Sequence, residues 1–357
     1  MTRAGFLILF SIVAASAGCH TTWPMLNEAA VHDPIQAMHG RAIVYAPPNM
    51  GRVWNQDELA GATAEELAYV YAPILVQGQQ VPGEHDRAWS PESDAIGQAY
   101  LHVADSDELK TQVDVTQPTV YAIVQKRLLG NREHLQLTYV VWYPRRPRTK
   151  EFDIEAADID SGIVRITLDD DKRPLFYETV LACGCYHKVF VEQRVESEAW
   201  QTVGPPESGK TFATERSIPR MFDWEVAGVV NTPKATVAPP VLFVSAGEHH
   251  MQGVQSSANF QWPVDGSRVR PYRLADYREL DTVQIDGTPR LGSIFNPEDD
   301  GQVWGADRLE KYIFMWIGTD DAGHPRKNDN ILLHFDQSRW MDPNIYQQYL
   351  RLPPGLL

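Results

Sequence analysis

Leu135, Leu137, Tyr139, Val141 and Tyr143 fall on alternate positions, with Gln136 and Thr138 between them, and this period of two predicts a half-buried strand over 135–143. Four neighbouring runs have the same strand character: Thr119 to Val124, Gly162 to Leu168, Leu175 to Leu181 and Lys188 to Val195. The Asp169-Asp-Asp-Lys-Arg-Pro174 run between two of them reads as a hairpin loop with a solvated acidic tip. Earlier, Thr63-Ala-Glu-Glu66 matches a capping box, and Leu67, Val70, Tyr71 and Ile74 follow at helical spacing, with Pro73 ending or kinking the helix. Residues 77 to 95 are polar and turn-rich, and predict an exposed loop. Beyond a Pro- and Gly-rich stretch from Val203 to Pro240, further strands are expected at Val241 to Ala246, Tyr312 to Ile317 and Ile331 to Phe335. A last helix starts at Asp342-Pro343, carries Ile345, Tyr346, Tyr349 and Leu350, and stops at Pro353. The pattern predicts a mainly β (α+β) chain, an antiparallel sheet or β-sandwich with a few peripheral helices.

The front of the chain has a different grammar. Arg3 gives a short positive start, and Gly5 to Val13 is an apolar run too brief to span a bilayer, so residues 1–18 read as an export signal. The run ends in Ser16-Ala17-Gly18-Cys19, which resembles the lipobox of bacterial lipoproteins, with Ser16 where that motif usually carries Leu. The resemblance implies a lipid on Cys19 and, since His20 is not Asp, a place at the outer membrane. A cleaved signal with a chance cysteine is the plainer alternative. The expected organisation is a signal peptide at 1–18, a lipid-anchored tether at 19–50, a β-rich domain at 51–230 and a second α+β lobe at 231–357, either separate or packed into the same domain.

Composition narrows the partners. Forty-seven acidic against 32 basic residues give a net charge of −15, which argues against nucleic acid or an anionic surface held by a basic patch. The expected partners are the membrane, through the N-terminal lipid, and an envelope protein or small ligand. Gly204-Pro-Pro-Glu-Ser-Gly-Lys-Thr211 matches the P-loop pattern letter for letter, but neither a core strand before it nor an amphipathic helix after it is legible, which argues against nucleotide.

Two constellations could carry chemistry. Cys183, Cys185 and His187 are spaced by two, so on an extended strand they share one side and could offer three ligands to zinc or copper. A Cys183–Cys185 disulfide, or buried thiols beside a hydrogen-bonded histidine, are the alternatives. Upstream, Asp153 and Glu155 share one face of an extended chain and Asp158 and Asp160 the other, so only a turn near Ala156-Ala157 brings all four to one divalent cation. A solvated loop paired with the Pro144-Arg-Arg-Pro-Arg148 run is the plainer reading. His249-His250, and the His334/Asp336 pair, are less organised candidates.

The order Trp142-Tyr143-Pro144, then Phe152-Asp153-Ile154-Glu155, then a strand ending Leu168-Asp169, resembles the middle of the necrosis-inducing secreted toxins. That resemblance covers about fifty residues and implies a β-sandwich with a divalent cation at Asp153 and Glu155. Phe152 and Ile154 stand where the toxins carry His and Trp. Two classes of function follow. One is a cell-envelope lipoprotein that binds or supports without catalysis. The other is a divalent-metal-dependent hydrolase or metal-binding protein, in which Asp153 and Glu155 hold a cation that activates water and His187 or a loop histidine carries the proton.

Overall fold

The computed structural model describes residues 42–47, 54–79, 90–148, 152–181, 186–217, 224–234, 236–260, 268–299, 301–309, 312 and 344–357. Two sheets face each other, so the mainly β, sandwich-like expectation holds. The longer sheet is built on a meander: β5 (Thr119–Leu129), β6 (Arg132–Tyr143), β7 (Asp160–Leu168), β8 (Pro174–Leu181) and β9 (His187–Glu192) pair antiparallel in chain order. β10 (Trp224–Val230) joins β9 and β14 (Arg273–Asp276) joins β5, both parallel, to make seven strands. The shorter sheet runs β12-β11-β2-β1-β13, from β1 (Ala42–Ala46), β2 (Ile74–Gly78), β11 (Pro240–Val244), β12 (Met251–Ser256) and β13 (Arg268–Pro271).

Strand alternation makes the main core. Leu137, Tyr139, Val141 and Tyr143 turn toward the other sheet, where Tyr45, Leu75, Leu242 and Val244 meet them, and Val140 and Trp142 turn outward into a second core. That second core lies under the hairpin of β3 (Gln98–Val103) and β4 (Leu109–Asp114) and the segment 277–306. A third core covers another part of the outer face with α3 (Gln193–Val203), α4 (Ile345–Tyr349) and Leu357. Every residue of β7 and β8 is buried, which is why both read as near-continuous apolar runs.

β13 and β14 are one extended stretch that changes sheets at Tyr272. The Tyr272 amide donates to the carbonyl of Ala46, and one residue later Arg273 donates to Pro118, so the stretch leaves the edge of β1 and arrives at β5. The Tyr272 hydroxyl donates to the carbonyl of Pro73 at 2.7 Å, fixing the corner. β10 and β12 lie against each other at the opposite edge, so the sandwich is drawn together on both sides.

Several sequence expectations are met and several are corrected. Two short helices, α1 (Gln56–Ala60) and α2 (Ala64–Val70), lead into β2, and both begin with capping boxes, from Asn55/Glu58 and Thr63/Glu66. Ile74 belongs to β2 and not to the helix face, because Pro73 stops α2 first. Ala42–Ala46, expected inside the tether, is a buried strand between β2 and β13: its apolar residues are needed to complete the shorter sheet. The end of the expected 77–95 loop is also buried, with Asp94 fully enclosed in the 3-10 helix Pro91–Asp94. Strands contributed from both sides of the Val203–Pro240 stretch share both sheets. The strands expected from Tyr312 and Ile331 lie outside the described residues apart from Tyr312, which is helical.

Leu137 has no exposed surface, whereas Trp200 on α3 is 54% exposed. In chemical denaturation Leu137→Ala is expected to cost about 2–5 kcal/mol. Trp200→Ala is expected to stay within about 0.5 kcal/mol.

Candidate functional site

The buried polar groups form two principal clusters, one at the start of β7 and one on the outer face of β8. The first centres on Asp160. The Nδ1 of His249 donates to Asp160 Oδ2 at 2.8 Å and its Nε2 donates to the carbonyl of Ser93 at 3.1 Å, with Asp94 Oδ1 at 3.5 Å. Both ring nitrogens therefore face acceptors, which requires the doubly protonated imidazolium. Arg308 donates to the other oxygen, Asp160 Oδ1, at 2.5 Å. All four side chains are within 2% of complete burial. Tyr143 stacks on the His249 ring with centroids 3.8 Å apart and planes 4° from parallel. Its hydroxyl donates to Gln77 Oε1 at 2.8 Å, and the Gln77 amide donates onward to the carbonyl of Ser245 at 3.0 Å.

Local backbone puts His249 there. The turn between β11 and β12 bends through Gly247 and His249, both with positive φ (69° and 54°), and the Gly247 amide donates to Asp94 Oδ1 at 2.6 Å. A left-handed non-glycine residue is costly, and the paired contacts of its imidazolium offset that cost. The electrostatics agree. Burial raises the Asp160 pKa, yet Arg308, the His249 bond and Arg146 together outweigh it and hold the carboxyl well below its ordinary range. Burial lowers the His249 pKa, but its bonds to Asp160 and Asp94 prevail and raise it above 6.5.

Next to this cluster, at the same end of the sandwich, one of the acids singled out from the sequence, Glu155, meets Arg146. Its guanidinium pairs with Glu155 and donates to the carbonyl of Glu248 at 2.9 Å. The Glu155 amide donates to Asp153 Oδ1 at 3.1 Å, and the Tyr186 hydroxyl donates to Glu155 Oε1 at 3.3 Å. His250 lies under the Tyr186 ring at 3.9 Å, and burial, then Arg146 and Lys188, push its pKa down to about 2, so it is neutral. Asp153 thus caps the Glu155 amide, the Glu155 carboxylate turns to Arg146 and Tyr186, Asp160 serves His249, and Asp158 reaches the exposed Lys110 at 3.8 Å. A cation at Asp153 and Glu155 would compete with Arg146 for the Glu155 carboxylate. Among the described residues no three His, Cys, Asp or Glu side chains gather as a metal site. Cys19, Cys183 and Cys185 lie outside the described residues, as do His334 and Asp336.

His187 turns away from these acids. On the outer face its Nε2 donates to Glu178 Oε1 at 2.9 Å, and the Tyr346 hydroxyl of α4 donates to Glu178 Oε2 at 2.6 Å. Gln136 donates to Tyr346 and to Thr167, at 3.3 and 3.2 Å. Burial raises the Glu178 pKa, but the His187 bond, Arg165 and Tyr346 bring the net shift below its ordinary value. Tyr186 and His187 thus serve opposite sides of the sheet. The Tyr346 contact pins the C-terminal helix over the third core.

The P-loop-like residues follow helix α3, not a strand. The loop's amides are held by the protein's own acids: Glu215 accepts from Thr211 and Phe212 at 2.8 and 3.2 Å, and Glu196 accepts from Ala213 and Thr214 at 2.6 and 3.1 Å. Of the motif's own amides, that of Thr211 is thus turned to a carboxylate, and that of Lys210 to the carbonyl of Glu207.

Of the residues in these clusters, sequence reasoning missed Arg308, Asp94, Arg146 as a buried partner, Glu178 and Tyr346. A signal existed for Glu178 and for its cross-strand partner Arg165: Glu178 is the one charge of β8 and Arg165 the one charge of the apolar run Gly162 to Leu168, and such charges are stable only when paired. No such mark distinguishes Arg308 or Asp94. No family model, curated protein or solved structure matches the chain.

Asp160→Asn leaves the His249 and Arg308 cations with one acid fewer, and is expected to cost about 3–5 kcal/mol in denaturation. The raised His249 pKa gives a pH signature: its contribution is complete below about pH 6.5 and is lost as pH rises through the folded value. The stability gap between wild type and His249→Gln is therefore expected to narrow from pH 6 toward alkaline pH. Tyr346→Phe, which strips one donor from buried Glu178, is expected to cost about 1–3 kcal/mol.

Proposed function

We propose that the chain is an envelope protein held at the outer membrane by a lipid on Cys19, and that its folded body binds a partner instead of catalysing a reaction. One observation carries the binding reading: among the described residues, the two fully buried acid–histidine pairs, Asp160 with His249 and Glu178 with His187, are committed to structure. Both nitrogens of His249, both oxygens of Asp160 and both oxygens of Glu178 are engaged by protein groups inside the sandwich. A general base must offer a free lone pair to substrate, and these groups spend theirs on joining segments. The lipobox-like Ser16-Ala-Gly-Cys19 supports the tether. Among the described residues no helix is long and apolar enough to cross a membrane.

The competing reading is a metal-dependent hydrolase or metal-binding protein. It draws on Glu155 and His250 sharing Arg146, with Asp153 on the Glu155 amide, and on the likeness of 135–187 to the cation-binding toxins. Elemental analysis of protein lacking the signal and Cys19 separates the two. The binding reading expects no stoichiometric metal. A bound metal lost on Asp153→Ala or Cys185→Ser would establish the competing one. For the tether, Cys19→Ser is expected to move the protein from the membrane to the soluble fraction, and unchanged membrane retention would contradict lipidation.

A further inference from the structure

β5 is longer than the strand beside it. β14 pairs only with Thr119–Ala122, and after Asp276 the chain turns into the 3-10 helix Tyr277–Asp281. On its other side β5 stays paired with β6 without a register break to Leu129↔Arg132. Among the described residues, no strand pairs with the free edge of Ile123–Leu129. The direction of its main-chain groups follows from the β14 contact. The carbonyl of Pro118 accepts from Arg273 at 2.9 Å, and main-chain groups on a strand repeat their direction every second residue, so Val124, Lys126 and Leu128 aim N–H and C=O at this edge.

The run has neither proline nor bulge, and of the devices that blunt an edge it carries only charge, at Lys126 and Arg127. The other edges differ: β13 ends in Pro271, β14 has four residues, and β10 and β12 lie against each other. We propose that Ile123–Leu129 is a docking edge at which an extended segment of a partner protein adds as a further strand.

The side chains specify that segment. Val124 packs on the rim of the main core, and by strand alternation Lys126 and Leu128 lie on the same face, Leu128 being 55% exposed. The order apolar, basic, apolar calls for apolar, acidic, apolar at alternate positions of the incoming strand. Lys126 already meets Glu133 at 3.5 Å, but both are more than 60% exposed, so this pair is screened and a partner carboxylate can share the ammonium. A second copy is disfavoured, since two such edges paired antiparallel about Lys126 would set like charges opposite each other.

This inference deepens the binding reading and rests on it. The test uses a synthetic nine-residue peptide with Val, Glu and Leu at alternate positions, and an otherwise identical peptide with Lys for Glu. Hydrogen exchange by NMR should show the amides of Val124, Lys126 and Leu128 slowed by the Glu peptide, with the Lys peptide binding about fivefold more weakly. Lys126→Glu should reverse the preference. Lys126→Pro removes an outward amide without costing a bond to β6 and should abolish binding while circular dichroism stays unchanged. If Lys126→Pro does not fold, the reversal by Lys126→Glu decides. Three amides left unprotected by the Glu peptide, or equal protection by both peptides, would overturn the proposal. So would a dimer of the free protein that masks the same three amides. If elemental analysis finds the protein metal-free while the peptide fails, only this edge is refuted and the binding reading stands.

Discussion

The buried ionic joint at Asp160 ties together three segments far apart in the chain. A carboxylate at the start of β7 takes a proton donor from the β11–β12 turn, His249, and another from Arg308, beyond the segment that roofs the second core. Through the second nitrogen of His249 it also reaches the 3-10 helix at Ser93, and through the stacked Tyr143 it reaches Gln77 in the shorter sheet. Removing each of these charges from water costs several kcal/mol, so the set is stable only when complete. The apolar cores supply bulk stability, but they are non-directional. The joint adds what they lack: a unique partner for each turn, which fixes how the roof and the two sheets register.

The same logic explains why two histidines singled out from the sequence, His187 and His249, sit in buried acid pairs. His187 and His249 each bring a nitrogen to a carboxylate in the interior, where a charged pair is worth most as a joint and is least able to meet substrate. The acids around Arg146 are a milder version, at the rim. On the proposed binding reading, recognition falls to the surface, above all to the edge of β5 that no strand pairs with among the described residues.

The legible part of the fold was what strand and turn chemistry encode locally. Leu137, Tyr139, Val141 and Tyr143 alternate because they face the main core, and Thr63 with Glu66 close a helix end three residues apart, so short windows carried both facts, but not that Val140 and Trp142 on the other face are buried too. The Asp169–Arg173 tip was likewise local, and its Asp169 carboxylate binds the Arg173 amide at 2.8 Å. What could not be read depended on closure in space. β1 looked like tether because its five residues find their neighbours only in β2 and in β13, far along the chain. Asp160 and His249 stand 89 residues apart, and Arg308 lies farther still, so no spacing announces the joint. The metal-like pattern at 183–187 assumed that strand alternation decides partners. His187 did follow alternation, but it was matched by Glu178 across the ladder.

The central claim is that Asp160, His249 and Arg308 act as one structural joint. A double-mutant cycle between Asp160 and His249, using Asp160→Asn and His249→Gln in chemical denaturation near pH 6, tests it most directly. The account predicts a coupling of about 1–3 kcal/mol, because either change alone already breaks the joint. Coupling within about 0.3 kcal/mol of zero, the behaviour of independent sites, would contradict it.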